Sequence, residues 1–325
     1  MTTPTLFQRW ARDGRLYAIL SAAGFSLKAV FVKLAYGAAP VDALTLLALR
    51  MGIALPLFGW LVWMARPRAE AAAADGAARL DWGDALRILL LGTVGYYLSS
   101  LFDFYGLQTI SSGLERLILY VYPTLVLVFQ VVLTRRLPAA RTAQAMAICY
   151  LGLAIGFVHD LGQSGHGRAI WTGAAWVFAS AVTYALYYLG TGAMVRRLGS
   201  MRLAGLAGGA SSLLVLGHFF LAGDAAALAT LPSAVWWHAG LMAVLSTVLP
   251  VYWMALAIQR MGATQAAAIG SLGPVLTMLA SWALLHEPMS LFQAGGLALV
   301  MFGVARLKPQ DAQAAPLRPK RKLFA

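Results

Sequence analysis

Among the charged side chains inside or at the head of stretches that are otherwise apolar, five stand out. Lys28 interrupts the run 16–36, Arg50 the run 43–64 and Asp103 the run 86–105, while Glu115 and Arg116 stand together at the head of 113–134. A charge at the centre of a membrane span costs roughly 2.5–3.5 kcal/mol on insertion scales. Near a span's end the cost falls, because long side chains snorkel to the interface. Such groups pair with one another, face a wet cavity, or bind a charged solute. Lys28 is twelve residues into its run, about 18 Å along a helix axis, too deep for easy snorkelling. It reads as a cavity or substrate cation, with a structural ion pair as the alternative. Arg50 reads as a structural bridge or a substrate contact, and Asp103 is a counter-charge open to either cation. Adjacent helical residues point about 100° apart, so Glu115 shares a face with Leu119 and Tyr122, and Arg116 with Tyr120 and Pro123. That pair reads as an interfacial anchor with a salt bridge, or as the rim of an outward-opening cavity. Lys33 reads as an interfacial snorkel.

The candidate substrate-binding set is therefore Lys28, Arg50, Asp103, Glu115 and Arg116, joined by Tyr122 and Tyr252 from the span aromatics, which could line a pocket for an amphipathic solute. Lys28, Lys33, Arg50 and Arg116 outnumber Asp103 and Glu115, and the second-half span interiors carry no charge to offset them. This favours solutes bearing a carboxylate, such as amino acids or organic acids, over cationic drugs.

Other chemistries find little support. His218 and His238 are isolated in apolar context, HExxH and paired-histidine spacings are missing, and the single cysteine, Cys149, lies within a span. Metal ligation, a disulfide framework and a cofactor are not expected. Glu287 follows His286 in a short turn between spans, where Ser290 and Gln293 spell a capping box, so it reads as structural. No phosphate-binding loop is present, which excludes ATP-driven transport by this chain alone. A membrane-embedded enzyme would need a polar catalytic cluster at one interface, and none of the usual motifs occurs.

These residues must be held by membrane helices. The 325 residues are 60% hydrophobic and only 11% charged, against about 25% charged in soluble domains. Ten spans are expected: 16–36, 43–64, 86–105, 113–134, 142–159, 170–191, 203–222, 236–257, 263–285 and 291–307. A run behind Arg9, Arg12 and Arg15 could pass for a signal peptide, but Lys28 and the nine further spans argue for an uncleaved first helix. The net charge of +13 raises the question of nucleic acid, and its distribution answers it. Counting loops alternately from the N-terminus, one side collects 20 of the 25 Lys and Arg, and the other only Arg168. This is the positive-inside pattern, with both termini cytoplasmic. The bilayer and a small solute are the expected partners; nucleic acid is not.

Sliding the chain by 151 residues places Gln108 on Gln259, Ile118 on Ile269, Pro123 on Pro274, Leu125 on Leu276, Leu133 on Leu284 and Gly152 on Gly303. Each copy holds five spans, and five is odd, so the second copy crosses in the opposite sense. The expected architecture is all-α, with ten transmembrane helices in two inverted five-helix repeats and a substrate site near their interface. The expected boundaries are 1–161 and 162–307, followed by a basic tail, 308–325. The loop 66–84 reads as a short surface helix or flexible link whose Asp81 and Asp84 can cap the third span, and 161–168 as a Gly-rich link. Pro123 and Pro274 read as paired mid-helix bends or hinges, and Gly205/Gly209 and Gly152/Gly156 as close helix contacts.

The motifs FSLKAVFVK, TLLALR, IGSLGPVLTMLASWALLHEPMSLFQAGG and Gly303-Val304 resemble those of EamA-type members of the drug/metabolite transporter superfamily, over about 16–307. The most specific part is Pro274, Leu285, Glu287, Ser290, Gln293 and Gly303; Arg50 and Lys33 match family-typical basic positions. The chain departs from the pattern at Phe25-Ser26, where Trp-Gly is usual, and at Lys28, where Asn is common. Arg136 stands at the first-half equivalent of Glu287. The resemblance implies a secondary transporter of the bacterial inner membrane that exports small metabolites, with a facilitative importer as the alternative.

Overall fold

The computed structural model describes residues 14–65, 80–135, 140–163, 167–261, 266, 269–270, 272–287 and 290–306. Arg9, Arg12, most of the loop 66–84, Arg136 and the tail from Lys308 lie outside the described residues. The helices are α1 (Arg15–Ala38), α2 (Ala43–Met64), α3 (Trp82–Leu107), α4 (Ser112–Leu119 and Tyr122–Thr134), α5 (Ala140–Gln163), α6 (Gly167–Leu198), α7 (Ser200–Ala222), α8 (Ser233–Met261), α9 (Gly273–Leu285) and α10 (Leu291–Arg306). Among the described residues there is no strand. Among the described residues, seven helices, α1–α4 and α6–α8, are long and apolar enough to cross a membrane. The expected spans 142–159, 263–285 and 291–307 are met by shorter apolar stretches, Ala143–His159, Gly273–Leu285 and Leu291–Arg306.

Local chemistry sets the helix starts. Asp42 caps α2 by accepting from Thr45 N at 2.9 Å. Asp81 and Asp84 form the capping box of α3, and Arg197 at the end of α6 reaches Asp84 at 2.6 Å. The Asp84 backbone N–H, with Arg197 nearby, holds the Asp81 carboxyl below its ordinary range, as expected of an acceptor at a positive helix N-terminus. Ser111 caps α4 through Leu114 N.

The two prolines are not mid-helix kinks. α4 breaks after Leu119, and Pro123 falls in the first turn of its second part; Pro274 opens α9 in the same way. Proline's missing N–H costs nothing where the helix has no intrahelical partner for it, whereas in a helix interior its ring would clash with the carbonyl four residues back. Two π-helical turns, Thr93–Leu98 in α3 and Val244–Val248 in α8, were not expected.

The 151-residue offset recurs in these features. It relates the π turns beginning at Thr93 and Val244, the left-handed C-caps Arg135 and His286 (both φ 54°), and the starts of α3 and α8 and of α5 and α10. Packing follows the same exchange. α2 packs on α7, α5 on α10 and α4 on α9; α3 on α6 mirrors α8 on α1; α4 on α6 mirrors α9 on α1. The main core cluster lies among α1, α2, α3, α7 and α8, with Phe104, Leu46, Leu47, Met51 and Met242 fully buried. Gly152 of α5 meets the Gly296 backbone of α10, and Gly205 of α7 meets Phe58 and Val62 of α2. Gly209 faces open space; its expected role belongs to Gly208, which packs on the Phe58 ring.

Candidate substrate site

Four of the expected residues converge from three helices. Lys28 Nζ of α1 lies 2.7 Å from Asp103 Oδ2 of α3 and 3.8 Å from Glu115 Oε1 of α4. Arg116 Nε lies 3.5 Å from the other Glu115 oxygen. The two carboxylates are fully buried and the two cations are partly exposed. Glu115 thus turns inward between Lys28 and Arg116, so the pair expected only as an anchor or rim belongs to one chain of charges. Lys33 is half-buried near the end of α1.

Arg50 stands apart. Asp103, its expected counter-charge, is taken by Lys28, and among the described residues no carboxylate lies within ion-pair distance of Arg50. Its Nε donates to Thr247 Oγ1 at 2.9 Å, its guanidinium carbon sits 5.4 Å from the centre of the Phe104 ring, and Nη1 has no hydrogen-bond partner. The side chain is only 5% exposed. A buried guanidinium with an unfilled donor is costly unless a ligand completes it. It is the one expected site cation with no carboxylate within ion-pair distance among the described residues.

Tyr122 joins a tyrosine cluster. Its ring centre is 5.0 Å from those of Tyr184 and Tyr188 and 6.2 Å from that of Tyr120. The cluster continues from Tyr184 through Tyr187 to Tyr96 in the π turn of α3. Gly95 makes that contact possible, since a Cβ there would fall 2.1 Å from the Tyr187 ring. Tyr252 is placed elsewhere. It packs on Trp60 and lines a cavity of about 270 Å³ near the ends of α2 and α6, with Met64, Leu198, Arg202 and Gln259.

Glu287 does more than occupy a turn. Its carboxylate accepts from Ser112 N at 3.2 Å and from the Ser112 hydroxyl, capping α4 from the α9–α10 turn. Ser112 Oγ also lies 2.7 Å from Ser281 Oγ. Ser290 Oγ accepts from Phe292 N, and Gln293 donates across to Ser111. His218 is not isolated, because its Nδ1 shares a hydrogen bond with Tyr97 Oη at 2.8 Å.

The model of the EamA-like transporter family matches this chain twice, over residues 13–158 and 171–307. The chain belongs to the EamA-like transporter family. This EamA-like chain is 31% identical over 309 residues to the Bacillus subtilis protein named "Uncharacterized transporter YcbK", covering 92% of the chain and 94% of that protein. It is 25% identical over 227 residues to "Uncharacterized transporter YyaM" of the same organism, covering 68% and 72%. A crystal structure 18% identical superposes with a TM-score of 0.59, over 90% of this chain and 96% of the other, a likeness of fold. The EamA-like chain is a multi-pass membrane transporter.

Sequence reasoning missed Thr247, Tyr188, Ser112 and Ser281. For Thr247 a signal existed: the 151-residue offset sets it opposite Tyr96, at the same place in the second π turn.

Proposed function

We propose that this transporter exports small metabolites bearing a carboxylate, such as amino acids or organic acids, across the bacterial inner membrane. The observation that carries the substrate class is Arg50, buried beside Phe104 with an unpartnered Nη1 and no carboxylate within ion-pair distance among the described residues. Lys28 and Arg116 are ion-paired with Asp103 and Glu115, so those four hold the helices around the site, and Arg50, without such a pair, is the cation left to receive the solute's charge. The tyrosines from Tyr122 to Tyr96 offer a surface for the solute's apolar part.

The architecture is ten spans in two inverted repeats, 1–161 and 162–307, with both termini cytoplasmic and a basic tail after them. The shared 151-residue offset of π turns and C-caps and the exchange-invariant helix packing support the repeat. The one-sided arginines support the orientation. Export rests on the resemblance to metabolite exporters. Counter-flow in proteoliposomes tests the substrate class: labelled amino or organic acids should exchange, and Arg50→Gln should abolish that exchange in a protein that still purifies folded. Robust exchange of a quaternary ammonium compound, uncompeted by any carboxylate, would overturn it.

A further inference from the structure

The second π turn sits against the one buried arginine of α2. In a π turn the backbone widens by one residue, which leaves carbonyls off the regular ladder for side chains to use. Here the Met242 carbonyl accepts from Thr247 Oγ1, five residues on, at 2.8 Å, and from Ser246 Oγ at 3.0 Å. The Thr247 hydroxyl proton is thereby committed to Met242. Its lone pair is left for Arg50 Nε, 2.9 Å away, and Thr247 is only 2% exposed. Because Nε is occupied, the guanidinium's remaining edge is the Nη1–Nη2 end. Nη1 has no partner, and the Phe104 ring lies 5.4 Å from the guanidinium carbon. A planar end-on edge with two parallel N–H donors matches a carboxylate in bidentate geometry.

We infer that Thr247 is the positioning residue that aims the Nη1–Nη2 edge of Arg50 at the solute carboxylate. This rests on the carboxylate reading above and deepens it. The receptor is composite: Arg50 comes from the first half of the chain and Thr247 from the second, 197 residues away. A relative movement of α2 and α8 takes the aim away, so the same contact links solute affinity to the arrangement of the two halves.

Counter-flow in proteoliposomes with full-length protein, using an amino or organic acid that the wild type exchanges, tests this. Thr247→Val keeps the shape and removes the acceptor; Thr247→Ser keeps the acceptor. A guanidinium freed from its orienting bond should bind the carboxylate about tenfold more weakly. The expected result is a rise in half-saturation concentration of about that size for Thr247→Val, with maximal exchange within about twofold of wild type, and near-complete rescue by Thr247→Ser. Should Thr247→Val fail to fold, Thr247→Ala serves, with the same readings. An unchanged half-saturation in the variant lacking the hydroxyl overturns the positioning role, as does an equal defect in Thr247→Ser, while either leaves the carboxylate reading standing. A wild type that exchanges no carboxylate overturns both.

Discussion

Lys28 and Asp103 form the shortest ion pair of the central charge chain, at 2.7 Å between α1 and α3. The same ammonium reaches Glu115 of α4 at 3.8 Å. One cation therefore ties three helices; removing it strands the buried Asp103 and leaves Glu115 with Arg116 alone. Lys28→Ala should destabilise the protein by about 3–5 kcal/mol, as for other broken buried pairs. Lys28→Met combined with Asp103→Leu should recover much of that loss. Thermal unfolding of the purified single and double variants in one detergent measures the coupling. Additive losses would mean that the two residues do not interact.

Glu287 and Ser112 supply a second test of long-range support. A carboxylate at a helix N-terminus satisfies orphan N–H groups and complements the helix dipole. Glu287→Ala should cost about 1–2 kcal/mol, and Ser112→Ala less, because the backbone N–H still reaches the carboxylate. Denaturation of the two variants side by side gives the order. A greater loss for Ser112→Ala would show that the hydroxyl contacts, not the carboxylate cap, dominate.

The two π-turn and helix glycines make opposite predictions. Gly95→Ala places a methyl against the Tyr187 ring and should cost about 1–3 kcal/mol as an overpacked site. Gly209→Ala meets nothing within 4 Å, and should be neutral or stabilising by about 0.5–1 kcal/mol through its helix preference. Melting temperatures in detergent decide both. A stable Gly95→Ala variant would mean that the Tyr96–Tyr187 contact can open.

Much of the site was legible because charge is expensive in lipid. Lys28, Arg50, Asp103, Glu115 and Arg116 stand out in an apolar chain, and the structure brings four of them together. The 151-residue offset was equally legible, since a proline and a glycine survive where apolar residues interchange freely. The pairing was not. Sequence places Lys28 and Arg50 at comparable depths, and only the packing of α1 on α3 and α4 gives Asp103 to the lysine. The π turns were hidden because one extra residue barely disturbs the pattern of an all-apolar helix. The break before Pro123 was hidden because a proline within a long apolar run reads alike as a kink or as a first turn. Tyr252 was placed with the charges on chemical type alone, and its position on α8 carries it to the ends of α2 and α6.

The Ser112–Glu287 cap has a consequence for how the chain is made. The residue that completes the first turn of α4 lies 175 positions further on. At ordinary rates of synthesis that separation is on the order of ten seconds or more. Throughout that interval the first-turn N–H of Ser112 must be satisfied by water or lipid headgroups. The first half therefore inserts with one helix end unfinished, and it is the arrival of the α9–α10 turn that closes it. A ribosome stalled before residue 287 would present a bundle whose fourth helix is capped by Ser111 alone.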